Sequence, residues 1–280
     1  MKEFIQGSVV GITLVSMSYI ASVAIAQDST SSLFSDKTLE AAVKKQVFSA
    51  AALTEEDLER LSTLKARRAG IKNLKGLEKC INLLALDVAD NQISDLTPLK
   101  NLTSLQTIDL SGNQVQKLSP LAGLTKLQYL QLEDNQVTNI TPIRTLTALN
   151  SLYLSNNRIK DIRPVSGLHR LWSIYLKNNQ VADLHPLSKL RFLSSLDLTN
   201  NKISDLSPLE SLTELRYLIL EKNQITNIRT LITMSKKDFE GEKRFAPYLR
   251  LYLAGNPLMR LATEKQVAEL KSFGVRVKLQ

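Results

Sequence analysis

Cysteine occurs once in the 280 residues, at Cys80, so no disulfide can form within the chain and its stability must come from a buried core. Histidine is almost as scarce. His169 and His185 stand without a recurring nucleophile or metal-ligand partner, and no HExxH, GxSxG, phosphate-binding glycine loop or paired-cysteine motif is present. An enzyme is therefore not expected, and neither is a cofactor or a metal. Aromatic residues make up only 5% of the chain, with a single tryptophan, so each exposed aromatic position carries weight. Beyond residue 26 no apolar run is long enough to cross a bilayer, which excludes a span in a mature chain. The chain is not short of positive charge: it carries +9.

What the sequence does have is a ruler. Asparagine recurs every 22 residues at Asn91, Asn113, Asn135, Asn157, Asn179, Asn201 and Asn223, and again at Asn256 after 33. Five and three residues before each Asn stand apolar pairs such as Leu130/Leu132 and Leu152/Leu154, an alternation that predicts a short strand. A β-branched residue follows two after nearly every Asn, then apolar residues at every third position, as in Leu96, Leu99, Leu102 and Leu105. Each buried Leu or Ile is worth roughly 1.5–3 kcal/mol, but a coil this small cannot bury its own apolar edge without a neighbour. The pattern predicts an α/β repeat fold, a leucine-rich-repeat solenoid with a curved parallel sheet on its concave face and short 3₁₀ turns on the convex side. The Asn amides are expected to bond backbone groups of their own coil and the next one. Pro98, Pro120, Pro142, Pro164, Pro186 and Pro208, several preceded by Thr or Ser, read as a capping residue followed by the first position of a helical turn. Asp95, Asp161, Asp183 and Asp205 recur four after the Asn as turn residues.

The consensus LxxLxLxxNxIxDLxPL, seen in Leu86-Asp87-Val88-Ala89-Asp90-Asn91-Gln92-Ile93-Ser94-Asp95-Leu96-Thr97-Pro98-Leu99, resembles that of the bacterial internalins. The likeness spans about residues 33 to 234. It is specific for the fold and weaker for function, because the same coil serves adhesins, inhibitors and regulatory subunits. A sorting motif of the LPxTG type and the modules that usually follow internalin repeats are absent, so a free secreted or periplasmic state is expected rather than cell-wall anchoring.

Four segments are expected along the chain. Residues 1–26, with an apolar run ending in Ala24-Ile25-Ala26, read as a cleavable secretory signal, with an uncleaved membrane anchor as the alternative. Residues 27–64 carry helical spacing in Leu39, Val43 and Val47 and a cap pairing Thr54 with Asp57, and so form a linker and helical N-terminal cap. Repeats occupy 65–258, beginning with a degenerate coil that has Ala69 at the ladder position and a buried Cys80. They are interrupted by a charged insertion of 11 residues, around 235–247, expected to loop out of the stack. Residues 259–280 are the C-terminal cap, a helix opened by a capping box at Thr263 and Gln266, then a strand at Val275, Val277 and Leu279.

Outward strand positions fall six, four and two residues before each Asn. Tyr129, Tyr153, Tyr175, Tyr217 and Tyr252 occupy the first two of these columns, and Trp172 lies one place away. Aromatics gathered on one face suit protein binding because they offer area with little side-chain entropy to lose; cross-strand tyrosine pairing is the plain structural alternative. Acidic residues, among them Asp87, Asp109 and Asp197, outnumber the basic ones on this face, where Lys177 and Arg250 stand, so a phosphate backbone would be repelled and nucleic acid is not an expected partner. The expected function is a secreted, monomeric, non-enzymatic recognition protein whose concave face binds a protein ligand from a host or the envelope. An envelope scaffold or regulatory subunit of an enzyme is the alternative.

Overall fold

A computed structural model describes residues 33–258 and 260–279, with the side chains of 260–263 outside the description. Three-residue strands recur once per coil: β1 (Thr63–Lys65), β2 (Ala85–Asp87), β3 (Thr107–Asp109), β4 (Tyr129–Gln131), β5 (Ser151–Tyr153), β6 (Ser173–Tyr175), β7 (Ser195–Asp197), β8 (Tyr217–Ile219), β9 (Arg250–Tyr252) and β10 (Arg276–Lys278). They pair in chain order as one ten-stranded parallel sheet. The register keeps equivalent residues abreast: Tyr129 faces Ser151, which faces Ser173. Across the insertion Tyr217 faces Arg250 directly, so the extra residues leave the sheet undisturbed.

The apolar periodicity accounts for the core. In the coil of Asn113, Leu105, Ile108, Leu110, Val115, Leu118, Leu121 and Leu124 are all at most 1% exposed, and each later coil repeats the set. Cys80 belongs to this core, and burial pushes its thiol up to about 12, which keeps it protonated.

Every ladder asparagine from Asn91 to Asn223 is between 6% and 9% exposed. Asn157 shows the rule: its Oδ1 accepts from Val137 N at 2.8 Å, and its Nδ2 donates to Leu132 O at 2.8 Å, Leu154 O at 3.0 Å and Ser155 O at 3.2 Å. The bonds reach the preceding coil, not the following one as expected. Beside the ladder runs a second column in which Asp90, Asp134, Asn156, Asn178, Asn200 and Lys222 hold φ between 53° and 57°. Short Asp and Asn side chains tolerate this left-handed turn better than most. The exposed amides also link across coils: Asn156 donates to Asp134 Oδ1 at 2.7 Å and Asn200 to Asn178 Oδ1 at 2.9 Å.

On the convex side the prolines sit in 3₁₀ turns such as Thr97–Leu99 and Ser207–Leu209. The expected Ser/Thr caps are not there. The aspartate two residues earlier does that work, Asp95 Oδ1 accepting from Thr97 N at 2.9 Å and from Thr97 Oγ1 at 2.6 Å. Asp183 serves His185 in the same way, taking its N–H at 2.9 Å.

The N-terminal end is covered by α1 (Lys37–Gln46) and α2 (Glu55–Arg60). Leu39 and Val43 are fully buried and the Thr54/Asp57 capping box is formed, as the spacing predicts. Asp36 caps α1 through Thr38 N and Leu39 N, and its other oxygen accepts from Lys72 N at 2.8 Å and Asn73 N at 3.2 Å, so one carboxylate ties the cap to the first coil. Burial raises its pKa, but the four backbone donors outweigh that and hold it below its ordinary value.

At the other end the insertion does not loop out. Residues Arg229–Glu240 form helix α3, which replaces the 3₁₀ turn of that coil. Leu231, Ile232 and Met234 point into the core, and buried Asp238 accepts from Arg244 N at 2.8 Å, Phe245 N at 3.1 Å and Ala246 N at 2.9 Å. The charges that suggested a loop, Lys236, Lys237 and Glu240, are its exposed side. Helix α4 (Arg260–Ser272) packs beside it, with the Phe239 and Phe273 rings 5.6 Å apart, and β10 closes the sheet. The cap expected at Thr263 falls on a side chain outside the described residues, while the backbone of α4 starts earlier, at Arg260. Among the described residues no helix is long and apolar enough to cross a membrane. The secretory signal expected at 1–26 lies outside them.

Candidate protein-binding face

Strand alternation turns the first and third residue of each strand outward, and the in-register sheet stacks those side chains in columns. Tyr153 and Tyr175 therefore meet in one column, and Tyr129, in the other column, reaches Tyr153 diagonally. The Tyr153 and Tyr175 rings are stacked at 4.7 Å with an interplanar angle of 4°, and Tyr129 leans on Tyr153 at 5.2 Å and 43°. All three are half-buried. Tyr153 has a ring on either side, so ring edges and hydroxyls are what the row offers to a ligand. Tyr129 donates its hydroxyl to Gln131 Oε1 at 2.5 Å, and Gln131 Nε2 donates to Glu133 Oε2 at 3.3 Å. Burial pushes the Tyr129 phenol up to about 12 and raises that of Tyr153, so both hydroxyls stay protonated donors at neutral pH. Burial also raises the Glu133 carboxyl.

Tyr217 and Tyr252 form a separate group, divided from the stack by Asp197 and Ile219. Each carries a cation: the Arg250 guanidinium lies 5.2 Å from the Tyr217 ring centre and Lys278 Nζ 5.2 Å from that of Tyr252. Lys177 is exposed two residues beyond Tyr175. Trp172 stands apart from both groups, 63% exposed on the rim just before β6.

The aspartates differ from expectation. Asp109 is only 8% exposed and accepts from Ser111 N at 3.0 Å, Ser111 Oγ at 2.7 Å and the Arg67 guanidinium. Arg67 Nε also binds Asp87 at 2.6 Å, so one arginine neutralises two of the expected acids. Asp197 is held by Thr199 N at 2.9 Å and Thr199 Oγ1 at 2.7 Å. The face is thus less acidic at its N-terminal end than the residue count implies. Arg67 was legible all the same: counting two back from Ala69, as from any ladder Asn, puts it in the outward column.

Family comparison agrees with the geometry. The repeat model described as "Leucine Rich repeats (2 copies)" matches residues 103–145, 147–189 and 191–233, and a single "Leucine Rich repeat" matches 79–96. The crystal structure of internalin C2 from Listeria monocytogenes is 33% identical, with a TM-score of 0.67 over 89% of this chain and 95% of that one. The chain belongs to the internalin family of leucine-rich-repeat proteins. Another internalin of Listeria monocytogenes, inlF, matches at 25% identity and TM-score 0.51 over 89% of this chain and 90% of that one. A Leptospira interrogans leucine-rich-repeat protein shares the fold at 22% identity and TM-score 0.63, covering 80% of this internalin and 62% of its own length. Leucine-rich-repeat domains of this type bind protein ligands. Among the described residues of this internalin no group of three His, Cys, Asp or Glu side chains could hold a metal ion.

Proposed function

We propose that this internalin is a secreted, non-enzymatic recognition protein that seats a protein partner on its concave face, from a host surface or the cell envelope. The observation that carries the reading is the stack of Tyr129, Tyr153 and Tyr175, half-buried and locked ring on ring before any ligand arrives. Such a surface loses little side-chain entropy on docking, and tyrosine is among the residues that dominate interface energetics. Arg250 and Lys177 give the C-terminal part of the face a positive character that selects for acid on the partner, and Tyr217 and Tyr252 add apolar area. Residues 1–26 would direct export and be removed, leaving 27–64 as the cap, 65–258 as the repeats and 259–280 as the closing unit.

The test is affinity capture with residues 27–280 on host and envelope extracts, followed by titration of the captured protein. A Tyr153→Ala/Tyr175→Ala variant that keeps its circular dichroism should bind at least about thirtyfold more weakly, a hot-spot-sized loss of about 2 kcal/mol. Unchanged affinity in that folded variant rejects the site. The N-terminal mass of secreted protein checks export: a chain starting at Met1 argues against cleavage.

A further inference from the structure

The segment that leads into each strand forms one edge of the solenoid, and its character changes halfway along. In the coils of Asn113, Asn135 and Asn157 it is polar or small, with Ser104/Gln106, Lys126/Gln128 and Ala148/Asn150 at the outward places. In the next coils the same places hold Arg170/Trp172, then Phe192/Ser194 with Arg191 beside them, then Glu214/Arg216. Trp172 and Phe192 are each 63% exposed and Tyr248 is 59% exposed. None of these rings serves the core, and the earlier coils show that the fold does not require them.

Backbone bonds hold the row rigid. Ser194 N donates to Trp172 O and Arg216 N to Ser194 O, both at 2.8 Å, which sets the edge at one coil per strand spacing of about 4.8 Å. Arg170 and Phe192 occupy equivalent places in adjacent coils, and the Arg216 guanidinium lies 4.8 Å from the Tyr248 ring centre. On this edge, charge in the Trp172 and Phe192 coils has one sign. Residues 166–173 and 188–195 contain no Asp or Glu, and Arg170 and Arg191 are exposed without an ion pair among the described residues. In the adjoining coil Glu214 is already engaged by Arg244.

We propose that this edge, built on Arg170, Trp172, Arg191, Phe192, Arg216 and Tyr248, is a second docking surface that takes an acidic polypeptide segment bearing aromatic or branched apolar side chains. The Arg170 and Arg191 guanidiniums, without an ion pair, call for carboxylates, which they bind in a two-pronged geometry, while Arg216 is already held by Arg244 O and the Tyr248 ring; the exposed rings call for apolar side chains. The composition favours a protein over other anions: Trp, Tyr, Phe and Arg are the residues enriched at protein interface cores, where lysine is depleted. The surface is separate from the tyrosine stack and does not depend on its role.

Panning the full chain against a displayed random-peptide library tests this, followed by titration of the labelled consensus peptide. Enriched peptides should be rich in Asp and Glu with interspersed aromatic or branched residues, and their affinity should fall as salt rises. Trp172→Ala/Phe192→Ala and Arg170→Glu/Arg191→Glu should each weaken binding about tenfold or more, while Lys126→Ala/Gln128→Ala, on the polar half of the same edge, leaves it unchanged. All the altered side chains lie outside the core, and circular dichroism of each variant checks folding. Enrichment of peptides without acid, no enrichment, or binding indifferent to the edge variants overturns the proposal. So does binding of phosphatidylglycerol vesicles or oligothymidylate that these variants abolish, since it assigns the edge to lipid or nucleic acid.

Discussion

Asn156 and Asn157 are neighbours in sequence and opposites in duty. Asn157 is buried and bonds four backbone groups of two coils, whereas Asn156 is exposed, sits at φ 57° and bonds only side chains, donating to Asp134 and accepting from Asn178. Both belong to columns of amides that run along the stack. One column is required by a buried backbone N–H in each coil that it alone pairs, such as Val137 N; the other is tolerated by a turn that favours short polar side chains. Identical chemistry therefore carries different energy according to whether water can replace it.

The sharpest way to break this contrast is Asn157→Ala, which leaves Val137 N buried without a partner and Leu132 O with only the Asn135 amide. It should cost on the order of 1–3 kcal/mol, read as a lower urea midpoint with an unchanged m-value. Next comes Asn178→Val in the exposed column. A β-branched residue forced to φ 55° should cost about 1–2 kcal/mol, through backbone strain rather than lost bonds. Asn178→Gly should be the smallest change, within about 0.5 kcal/mol of zero, because relief of the left-handed strain offsets the two lost exposed bonds, to Asn156 and from Asn200. A loss from Asn178→Gly as large as that from Asn157→Ala would show that the outer column is structural too.

Acid separates the ladders from the N-terminal cap. Amides do not titrate, but the folded Asp36 carboxyl lies below its ordinary 3.8. Its contribution is present above the unfolded value and is lost as pH falls through the lower folded one. Hydrogen exchange at progressively lower pH should therefore show α1 opening before the central coils, and Asp36→Asn should flatten that acid dependence.

The 22-residue period made the sheet, the core and the buried ladder legible before any coordinates, because each follows from one residue type at one spacing. The insertion was misread for a physical reason. Lys236, Lys237 and Glu240 advertise solvent, and the apolar side of α3 is split between the end of a repeat, at Leu231 and Met234, and a residue pattern too short to show helical period alone. Asp238, the most informative residue there, is an acid that works as a buried acceptor for three backbone N–H groups, and nothing in its own sequence context marks that. At the candidate site, spacing located the tyrosines. It could not show that three of them make ring contacts or that two aspartates are consumed by Arg67.

The direction of the asparagine bonds gives the solenoid an arrow. Each coil is complete only when its successor supplies an amide, as Val137 N waits for Asn157 and Ile225 N waits for Asn256. A chain that emerges from its N-terminus first is sealed one coil behind its growing end, and the moving front is a single unfinished turn rather than a long exposed seam. Only the last repeat must be closed by something other than another coil of its own kind. Among the described residues α4 and β10 supply that closure, β10 pairing with β9, the strand of the Asn256 coil.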